Sequence, residues 1–286
     1  MDIQWYPGHM TKAKRQMQED IKLIDLMIEI VDARAPQSSR NPDLSELGKN
    51  KARLILMNKT DLADEIENKK WADYFKRNNI ACIFVDSRNR ATLKSIPSVI
   101  QEVCKEKIER DLKRGIKSRP VRAMIVGIPN VGKSTFINSY AGKACAKTGN
   151  KPGVTKGKQW INLSKNIQML DTPGVLWPKF EDAKAGVNLA FIGSIKDDIL
   201  NIEELGIEFL DYVTKHYRGR IAERYGVSEE KSLPEILYSI GEKRGCIVKG
   251  NEISYEKAAA LVLDDFRSGK LGRITLENAP VGDMNE

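Results

Sequence analysis

The sequence predicts an α/β domain followed by a helical one. Short apolar runs of strand length recur through residue 170, and the run at 124–126 passes into a glycine-rich loop and then into a helix-forming segment. Beyond residue 180, apolar residues recur at spacings of three and four, which predicts helices at 182–195, 202–224, 233–243 and 255–267. We therefore expect an α/β domain over residues 1–178 and an all-helical domain over residues 179–286.

The glycine-rich segment, residues 127–134, predicts a phosphate-binding loop. It has the pattern Gly-x-x-x-x-Gly-Lys-Ser between a strand and a helix, and its glycines let successive backbone N–H groups point into one concavity of anion size. Lys133 should contact the β- and γ-phosphates, and the Ser134 hydroxyl should bind Mg²⁺. The residues predicted to bind nucleotide here are Gly127, Asn130, Val131, Gly132, Lys133, Ser134 and Thr135.

A second motif, Asn58-Lys59-Thr60-Asp61, follows the apolar run at 53–57 and predicts that the base is guanine. The Asp61 carboxylate can accept hydrogen bonds from guanine N1–H and from the exocyclic amino group. Adenine has neither donor there and would leave the charge unpaired. Asn58 should tie this guanine loop (residues 58–61) to the phosphate loop and face guanine N7. The aliphatic stem of Lys59 should cover the ring.

Asp86 and Ser87 follow the apolar run at 80–85, where backbone N–H groups can hold guanine O6. A simple strand-to-helix turn capped by Ser87 is the open alternative.

Two further positions behind the phosphate loop fit contacts with the γ-phosphate. Thr155 lies in a Lys- and Gly-rich stretch and is placed to contact Mg²⁺ and the γ-phosphate. A hairpin pattern ends in Asp171-Thr-Pro-Gly174, in which Asp171 would hold Mg²⁺ through water and the Gly174 N–H would sense the γ-phosphate.

The net charge of +8 is unevenly distributed. Residues 1–178 carry 32 Lys and Arg against 19 Asp and Glu, whereas residues 179–286 carry 15 against 20. A basic nucleotide-binding half favours nucleic acid, with ordinary solvated charge as the open alternative. The four cysteines lack a Cys-x-x-Cys pair and indicate reduced thiols rather than zinc or disulfides. No apolar run reaches membrane-spanning length. We expect a cytoplasmic protein without a membrane partner. The sequence leaves its oligomeric state open, and we expect a monomer.

The five motifs together are the marks of Ras-like GTPases, but their order along the chain is changed. An ordinary member places the guanine motif after the phosphate loop, whereas here residues 58–61 and Ser87 precede Gly127. With Trp5-Tyr6-Pro7-Gly8-His9-Met10 and Asp32-Ala33-Arg34-Ala35-Pro36 added, the chain resembles the bacterial YlqF-type circularly permuted GTPases over essentially its whole length. The resemblance implies a circularly permuted Ras-like P-loop GTPase domain followed by a smaller all-helical domain that contacts RNA.

The residues near the switch predict slow hydrolysis in isolation. Val175 follows Gly174 where Ras-like enzymes usually carry a water-orienting Gln, and valine cannot orient water. His9 is the candidate catalytic residue as a tunable acid or base, and this histidine has been proposed to assist hydrolysis in the resembled family; a structural histidine at a helix start is the open alternative. Asn130 matches the Asn that accompanies potassium-dependent hydrolysis in related GTPases, so we expect K⁺ near it.

These features predict a GTP hydrolase that is slow alone and stimulated by its partner. With the resemblance, they predict an assembly factor for the large ribosomal subunit that binds rRNA in the GTP state and is released on hydrolysis. The choice of the large subunit follows from the resemblance alone. The alternative is a GTP-dependent switch that recruits a protein partner without touching RNA. An ATPase is disfavoured by Asp61.

Overall fold

The computed structural model describes residues 17–41, 44, 48–116, 119–142, 160–164, 166–170 and 183–281, with backbone alone at 163 and 164. Its strands are β1 Leu26–Asp32, β2 Ala52–Asn58, β3 Cys82–Phe84, β4 Val121–Val126, β5 Trp160–Ser164 and β6 Ile167–Leu170. They form one sheet in the order β3–β2–β1–β4–β6–β5. Neighbouring strands are parallel, except for the antiparallel β5–β6 hairpin.

Helices flank this sheet and then continue beyond it. Those that alternate with the strands are α1 Glu65–Arg77, α2 Ile96–Val103, α3 Lys105–Lys113 and α4 Lys133–Ala141. Those that follow the sheet are α5 Ala183–Phe191, α6 Ile202–His216, α7 Arg220–Tyr225, α8 Leu233–Arg244 and α9 Tyr255–Arg267. Across the described residues, no helix combines the length and the apolar character that a membrane span requires.

The topology confirms the predicted fold class. β4, which leads into the phosphate loop, pairs with β1 on one side and β6 on the other. β2, which leads into the guanine loop, precedes β4 in the chain yet lies two strands away from it in the sheet. The guanine loop therefore comes first in sequence but joins the same sheet edge as the phosphate loop, as circular permutation requires.

The central strand β1 is buried on both faces, as strands of parallel sheets usually are. Leu26, Ile28 and Ile30 join the main hydrophobic core, whereas the alternate residue Val31 packs with Trp71 of α1 on the opposite face. Side chains alternate across a strand, so β1 is fixed from both sides. This packing fixes the position of Asp32, the polar residue at the carboxyl end of β1.

The chain returns to the sheet after α9 through residues 273–279, here called the C-terminal strap. The Ile274 N–H donates to the Leu62 carbonyl oxygen at 3.1 Å, and the Leu276 N–H donates to that of Arg34 at 2.7 Å. The Trp71 indole N–H donates to the Glu277 carbonyl oxygen at 3.1 Å. Because the strap contacts the α/β part, the division into domains 1–178 and 179–286 stays a prediction.

The predicted helix at 202–224 is two helices in the structure. α6 ends at His216 and α7 begins at Arg220, and Gly219, the N-cap of α7, has a left-handed φ of 93°, which a continuous α-helix does not contain. The Tyr217 hydroxyl accepts a hydrogen bond from the Thr275 N–H of the strap at 2.9 Å. A tertiary contact thus stands where the apolar spacing predicted continuous helix.

Candidate nucleotide-binding site

The predicted nucleotide-binding loops meet at the carboxyl edge of the sheet. Asp32 and Asn58 end β1 and β2 and lie opposite each other in the register. Gly127 directly follows β4, and Ser87 lies three residues beyond the end of β3. Ligands of open α/β sheets bind outside the carboxyl ends of the strands, so this edge is the expected position for a nucleotide.

Two glycines let the phosphate loop lie close to its neighbours. A Cβ atom at Gly127 would lie 2.5 Å from the Ile30 carbonyl oxygen, and one at Gly132 would lie 2.3 Å from Asn58 Nδ2. Their φ angles, 153° and 97°, are values that residues other than glycine rarely adopt. Lys133 begins α4, and its ammonium donates to the Gly127 carbonyl oxygen at 2.8 Å. The loop therefore has the tight shape and the helix start that suit a phosphate group.

The other predicted residues of the phosphate loop occupy distinct environments. Val131 is buried, whereas Asn130 is exposed and has a φ of 63°. Ser134 and Thr135 lie half-buried in the first turn of α4. Ser134 is therefore placed at the helix start where its predicted Mg²⁺ contact requires it, and that contact stays a prediction.

Asn58 joins three loops through the two ends of its carboxamide. Its Nδ2 donates to the Val131 carbonyl oxygen at 2.7 Å. Its Oδ1 accepts from the Ser87 N–H at 3.0 Å and from the Ser87 hydroxyl at 2.7 Å. The predicted tie between the guanine loop and the phosphate loop is confirmed, and the contact with guanine N7 stays a prediction.

Lys59 connects the same loops through its charge. It has a left-handed φ of 62°, and its ammonium donates to the Asn130 carbonyl oxygen at 2.7 Å. The same ammonium pairs with Asp32 Oδ2 at 2.9 Å. Burial opposes ionisation of Asp32, but the adjacent Arg34 and Lys59 outweigh it and hold the Asp32 pKa well below its usual range.

Asp61 presents a carboxylate oxygen suited to guanine. Its Oδ2 pairs with the Arg88 guanidinium, whereas its Oδ1 is buried and has no hydrogen-bond partner among the described residues. A buried acceptor without a donor is costly, and guanine supplies donors to such a carboxylate. Thr60 adds a backbone contact, since its N–H donates to the Val85 carbonyl oxygen at 3.3 Å. These residues fit a guanine nucleotide.

Asp86 and Ser87 have different local roles. Asp86 Oδ1 accepts from the Arg88 N–H at 2.9 Å, and the Asp86 N–H donates to Thr92 Oγ1 at 3.1 Å, so Asp86 shapes the turn after β3. Ser87 instead binds Asn58. The turn is therefore shaped by Asp86, and the open alternative, in which Ser87 caps the turn, is not observed. The nucleotide contacts of both residues stay predictions.

Four predicted site residues, His9, Thr155, Asp171 and Gly174, lie outside the described residues. Within the described part of the chain, no group of three or more His, Cys, Asp and Glu side chains is placed to hold a metal ion. Only Ser134 of the predicted Mg²⁺ ligands is therefore located.

The structure adds contacts that sequence reasoning did not include. Asn130 Nδ2 donates to the Gly193 carbonyl oxygen at 2.5 Å, and the Ser194 hydroxyl donates to the Pro129 carbonyl oxygen at 2.9 Å. The turn after α5 thus lies against the phosphate loop. Asp32 could have been predicted as a neighbour of the site because it ends a buried strand, but nothing in the sequence around Gly193 indicates this contact.

Comparisons with known proteins agree with this site. Residues 122–232 match the family model "50S ribosome-binding GTPase", and residues 6–85 match the model of the CobW/HypB/UreG nucleotide-binding domain. Ribosome biogenesis GTPase A of Bacillus cereus is 48% identical over 97% of this chain and 94% of its own length. The protein of that name from Thermotoga maritima is 32% identical over 96% of this chain and 94% of its own.

A solved structure shows the same similarity in three dimensions. GNP-bound YlqF from T. maritima superposes with a TM-score of 0.66 at 28% identity, covering 94% of this chain and 98% of that one. Together with the guanine and phosphate loops meeting in permuted order at one sheet edge, the near-complete coverage by these relatives places the chain in the ribosome biogenesis GTPase A family, whose members are GTP hydrolases.

Proposed function

We propose that this chain is an assembly factor for the large ribosomal subunit, which binds rRNA in the GTP state and is released when GTP is hydrolysed. The observation that carries the proposal is similarity over nearly the full length to relatives named ribosome biogenesis GTPase A. The family model "50S ribosome-binding GTPase" matches residues 122–232, which include the phosphate loop and helices α4 to α7. The excess of basic residues in 1–178 supports an RNA partner.

The helical part carries exposed basic residues that can meet RNA phosphates. Arg218 pairs with Glu230 at 3.1 Å, and Arg220 pairs with Glu223 at 3.5 Å. Exposed ion pairs of this kind contribute only about 0–1 kcal/mol. Phosphates can therefore replace these glutamates at little cost, which supports RNA contact by the domain predicted at 179–286.

The proposed Mg²⁺ ligands are the Ser134 hydroxyl, Thr155 and Asp171. When bound, Mg²⁺ neutralises charge on the β- and γ-phosphates. Lys133 adds a positive charge at the same position, and Gly174 senses the γ-phosphate. These assignments follow from the motif types, and the position of Ser134 in the first turn of α4 supports the first of them.

His9 is the proposed acid or base of hydrolysis, because Val175 stands where a water-orienting Gln is usual. We expect His9→Ala to lower subunit-stimulated turnover by about 10²-fold, the usual lower range for a lost acid or base, with GDP affinity unchanged. The matched control is His216→Ala, since His216 ends α6 and lies against Tyr212. Equal turnover of His9→Ala and the unmodified protein would remove the catalytic assignment.

Asn130 is the proposed K⁺ ligand. Its Nδ2 donates to the Gly193 carbonyl oxygen, and this hydrogen bond does not use Oδ1, the atom able to bind a cation. We expect faster hydrolysis in KCl than in NaCl at equal ionic strength, and a smaller difference in Asn130→Ala. Equal rates in the two salts would contradict this assignment.

The main test is GTP turnover in potassium buffer with purified large subunits, with small subunits as the control. We expect strong stimulation by large subunits only. Stimulation by neither subunit would favour the alternative, a switch that recruits a protein partner without RNA contact. A second measurement separates the two: ribosomal association through rRNA should weaken steeply with salt, whereas a log–log salt slope near zero favours the protein partner.

We further propose that the protein acts as a monomer in the cytoplasm.

A further inference from the structure

A buried ion pair beneath the guanine loop has no place in the chemistry described above. Asp32 is 0% exposed and Arg34 is 1% exposed. The Arg34 guanidinium donates to both carboxylate oxygens of Asp32, through Nε at 2.9 Å and through its terminal nitrogen at 2.8 Å. Two fully buried charges carry a large desolvation penalty, and this pair makes further contacts on two sides.

On one side, Asp32 holds the guanine loop. Its Oδ2 binds the Lys59 ammonium at 2.9 Å, and that ammonium also donates to the Asn130 carbonyl oxygen of the phosphate loop at 2.7 Å. Lys59 has a left-handed backbone conformation, which is uncommon for a residue other than glycine. Asp32 thereby fixes the Lys59 ammonium, which joins the guanine loop to the phosphate loop.

On the other side, Arg34 contacts the end of α9. Its guanidinium lies over the Phe266 ring, 4.9 Å from the centroid, and also donates to the Arg267 carbonyl oxygen at 3.4 Å. The Arg34 carbonyl oxygen accepts from the Leu276 N–H of the strap at 2.7 Å. The Arg34 side chain and backbone are thus in contact with both α9 and the strap.

A second route leads from α9 back to the phosphate loop. The Arg267 side chain donates to the carbonyl oxygens of Ala190 and Phe191 at the end of α5, at 2.8 and 3.0 Å. In the turn that follows, the Gly193 carbonyl oxygen accepts from Asn130 Nδ2 at 2.5 Å. These contacts therefore connect the guanine loop to the phosphate loop through Arg34, α9 and the end of α5.

We propose that Asp32 and Arg34 are positioning residues that make guanine-nucleotide affinity depend on the seating of α9. Asp32 acts through Lys59, and Arg34 makes the hold on Asp32 depend on Phe266. By linkage, a nucleotide that orders Lys59 stabilises α9, and loss of α9 packing weakens nucleotide binding by the same factor. The proposal requires the GTP site alone and does not depend on the ribosomal partner.

The first test compares two carboxylates of the same strand. Asp32→Asn removes the charge that holds Lys59, and we expect the Kd for GDP to rise about tenfold, within the usual range of coupling. The control is Glu29→Gln, because Glu29 is 2% exposed on β1 but pairs with Arg40 and Arg53. Glu29→Gln should lower thermal stability and leave the Kd within about twofold. Equal effects of the two variants on the Kd would overturn the role of Asp32.

The second test addresses the route through Arg34. Phe266→Leu removes the ring beneath the guanidinium, and we expect a Kd for GDP raised about fivefold. Phe209→Leu is the control, since Phe209 is equally buried and packs on Phe266, 4.7 Å between centroids. In the Asp32→Asn background, Phe266→Leu should have no further effect on the Kd. Additive effects, or equal effects of the two Phe variants, would overturn the coupling.

Hydrogen exchange in the unaltered protein decides the matter if Asp32→Asn fails to fold. GDP should slow amide exchange at the end of α9 as well as in the phosphate loop, and Phe266→Leu should abolish the protection at α9. Protection confined to the phosphate loop of the unaltered protein would contradict the proposal.

Discussion

Gly132 and Asn58 approach each other so closely that the phosphate loop and the guanine loop act as one unit. The glycine leaves room for the carboxamide whose Nδ2 reaches the Val131 carbonyl oxygen. The other end of the same carboxamide holds Ser87. Gly132, which the sequence assigns to phosphate binding, therefore also makes room for the contact that joins the phosphate loop to the guanine loop.

Gly132→Ala tests this packing, with Gly250→Ala as the matched control. Both glycines have left-handed φ angles, 97° and 101°, so both substitutions strain the backbone by about 1–3 kcal/mol. Only at Gly132 does the new Cβ meet Asn58 Nδ2, whereas at Gly250 no described atom beyond the two chain neighbours lies within 4 Å. We expect the larger loss of stability in urea denaturation for Gly132→Ala, together with GDP binding weakened at least about tenfold. Equal losses would show that Asn58 moves aside freely.

Cys82 and Cys104, two of the three described cysteines, should be unreactive in the folded protein. Burial raises the pKa of Cys82 to about 12 and that of Cys104 to about 11. Because the thiolate is the reactive form, little of it exists in either residue at pH 8.5. In a background with Cys145→Ser and Cys246→Ser, which leaves only these two thiols, a thiol reagent at that pH should label both residues only as fast as the protein unfolds. Rapid labelling of either one in the folded state would contradict this expectation.

At the scale of residues, the sequence motifs predicted the groups at the candidate nucleotide site but not the groups behind them. Motif chemistry identified Lys133 and Asp61 because phosphate and guanine require particular donors and acceptors at fixed spacing. Asp32 and Arg34 contributed only to the family resemblance. Their role depends on Phe266, which is distant in sequence, and no local spacing encodes such a contact.

At the scale of elements, the C-terminal strap explains why one predicted helix is interrupted. Apolar spacing predicted helix from 202 to 224, and it correctly predicted the single helix at 255–267. The break at 217–219 brings the Tyr217 hydroxyl to Thr275, which both donates to it and accepts from it. Periodicity reports which face of a helix is buried, but it carries no information about a strap that arrives some sixty residues later.

Two tyrosines of this region make a matched pair for testing the strap. Tyr212 and Tyr217 both donate to the Thr275 carbonyl oxygen, at 2.7 and 3.0 Å, but Tyr217 alone also accepts from the Thr275 N–H. Tyr217→Phe therefore leaves a backbone donor unpaired, at a cost of about 1–3 kcal/mol, whereas Tyr212→Phe leaves Thr275 with its other partner. Urea denaturation should show the larger loss for Tyr217→Phe. The reverse order would mean that the strap does not depend on this contact.

At the scale of the whole molecule, the sheet and the helices that follow it share one interior. The main hydrophobic core contains Ile28 and Ile30 of β1 together with Phe209 of α6 and Phe266 of α9, without interruption among the described residues. Ile274 and Leu276 of the strap belong to the same core. Circular permutation makes this arrangement possible, because the chain that leaves β6 continues into helices that fold back over the carboxyl edge of the sheet.

A shared core predicts that the protein unfolds as one cooperative unit in spite of its length. In calorimetry without nucleotide we expect a single transition whose van't Hoff and calorimetric enthalpies agree, and saturating GDP should shift that transition upward as a whole. Leu276→Ala removes a core side chain at a cost of about 2–5 kcal/mol. If the α/β part and the helices are one unit, this substitution in the strap lowers the single transition without splitting it. Two resolved transitions, only one of which responds to GDP, would instead show that residues 1–178 and 179–286 unfold independently.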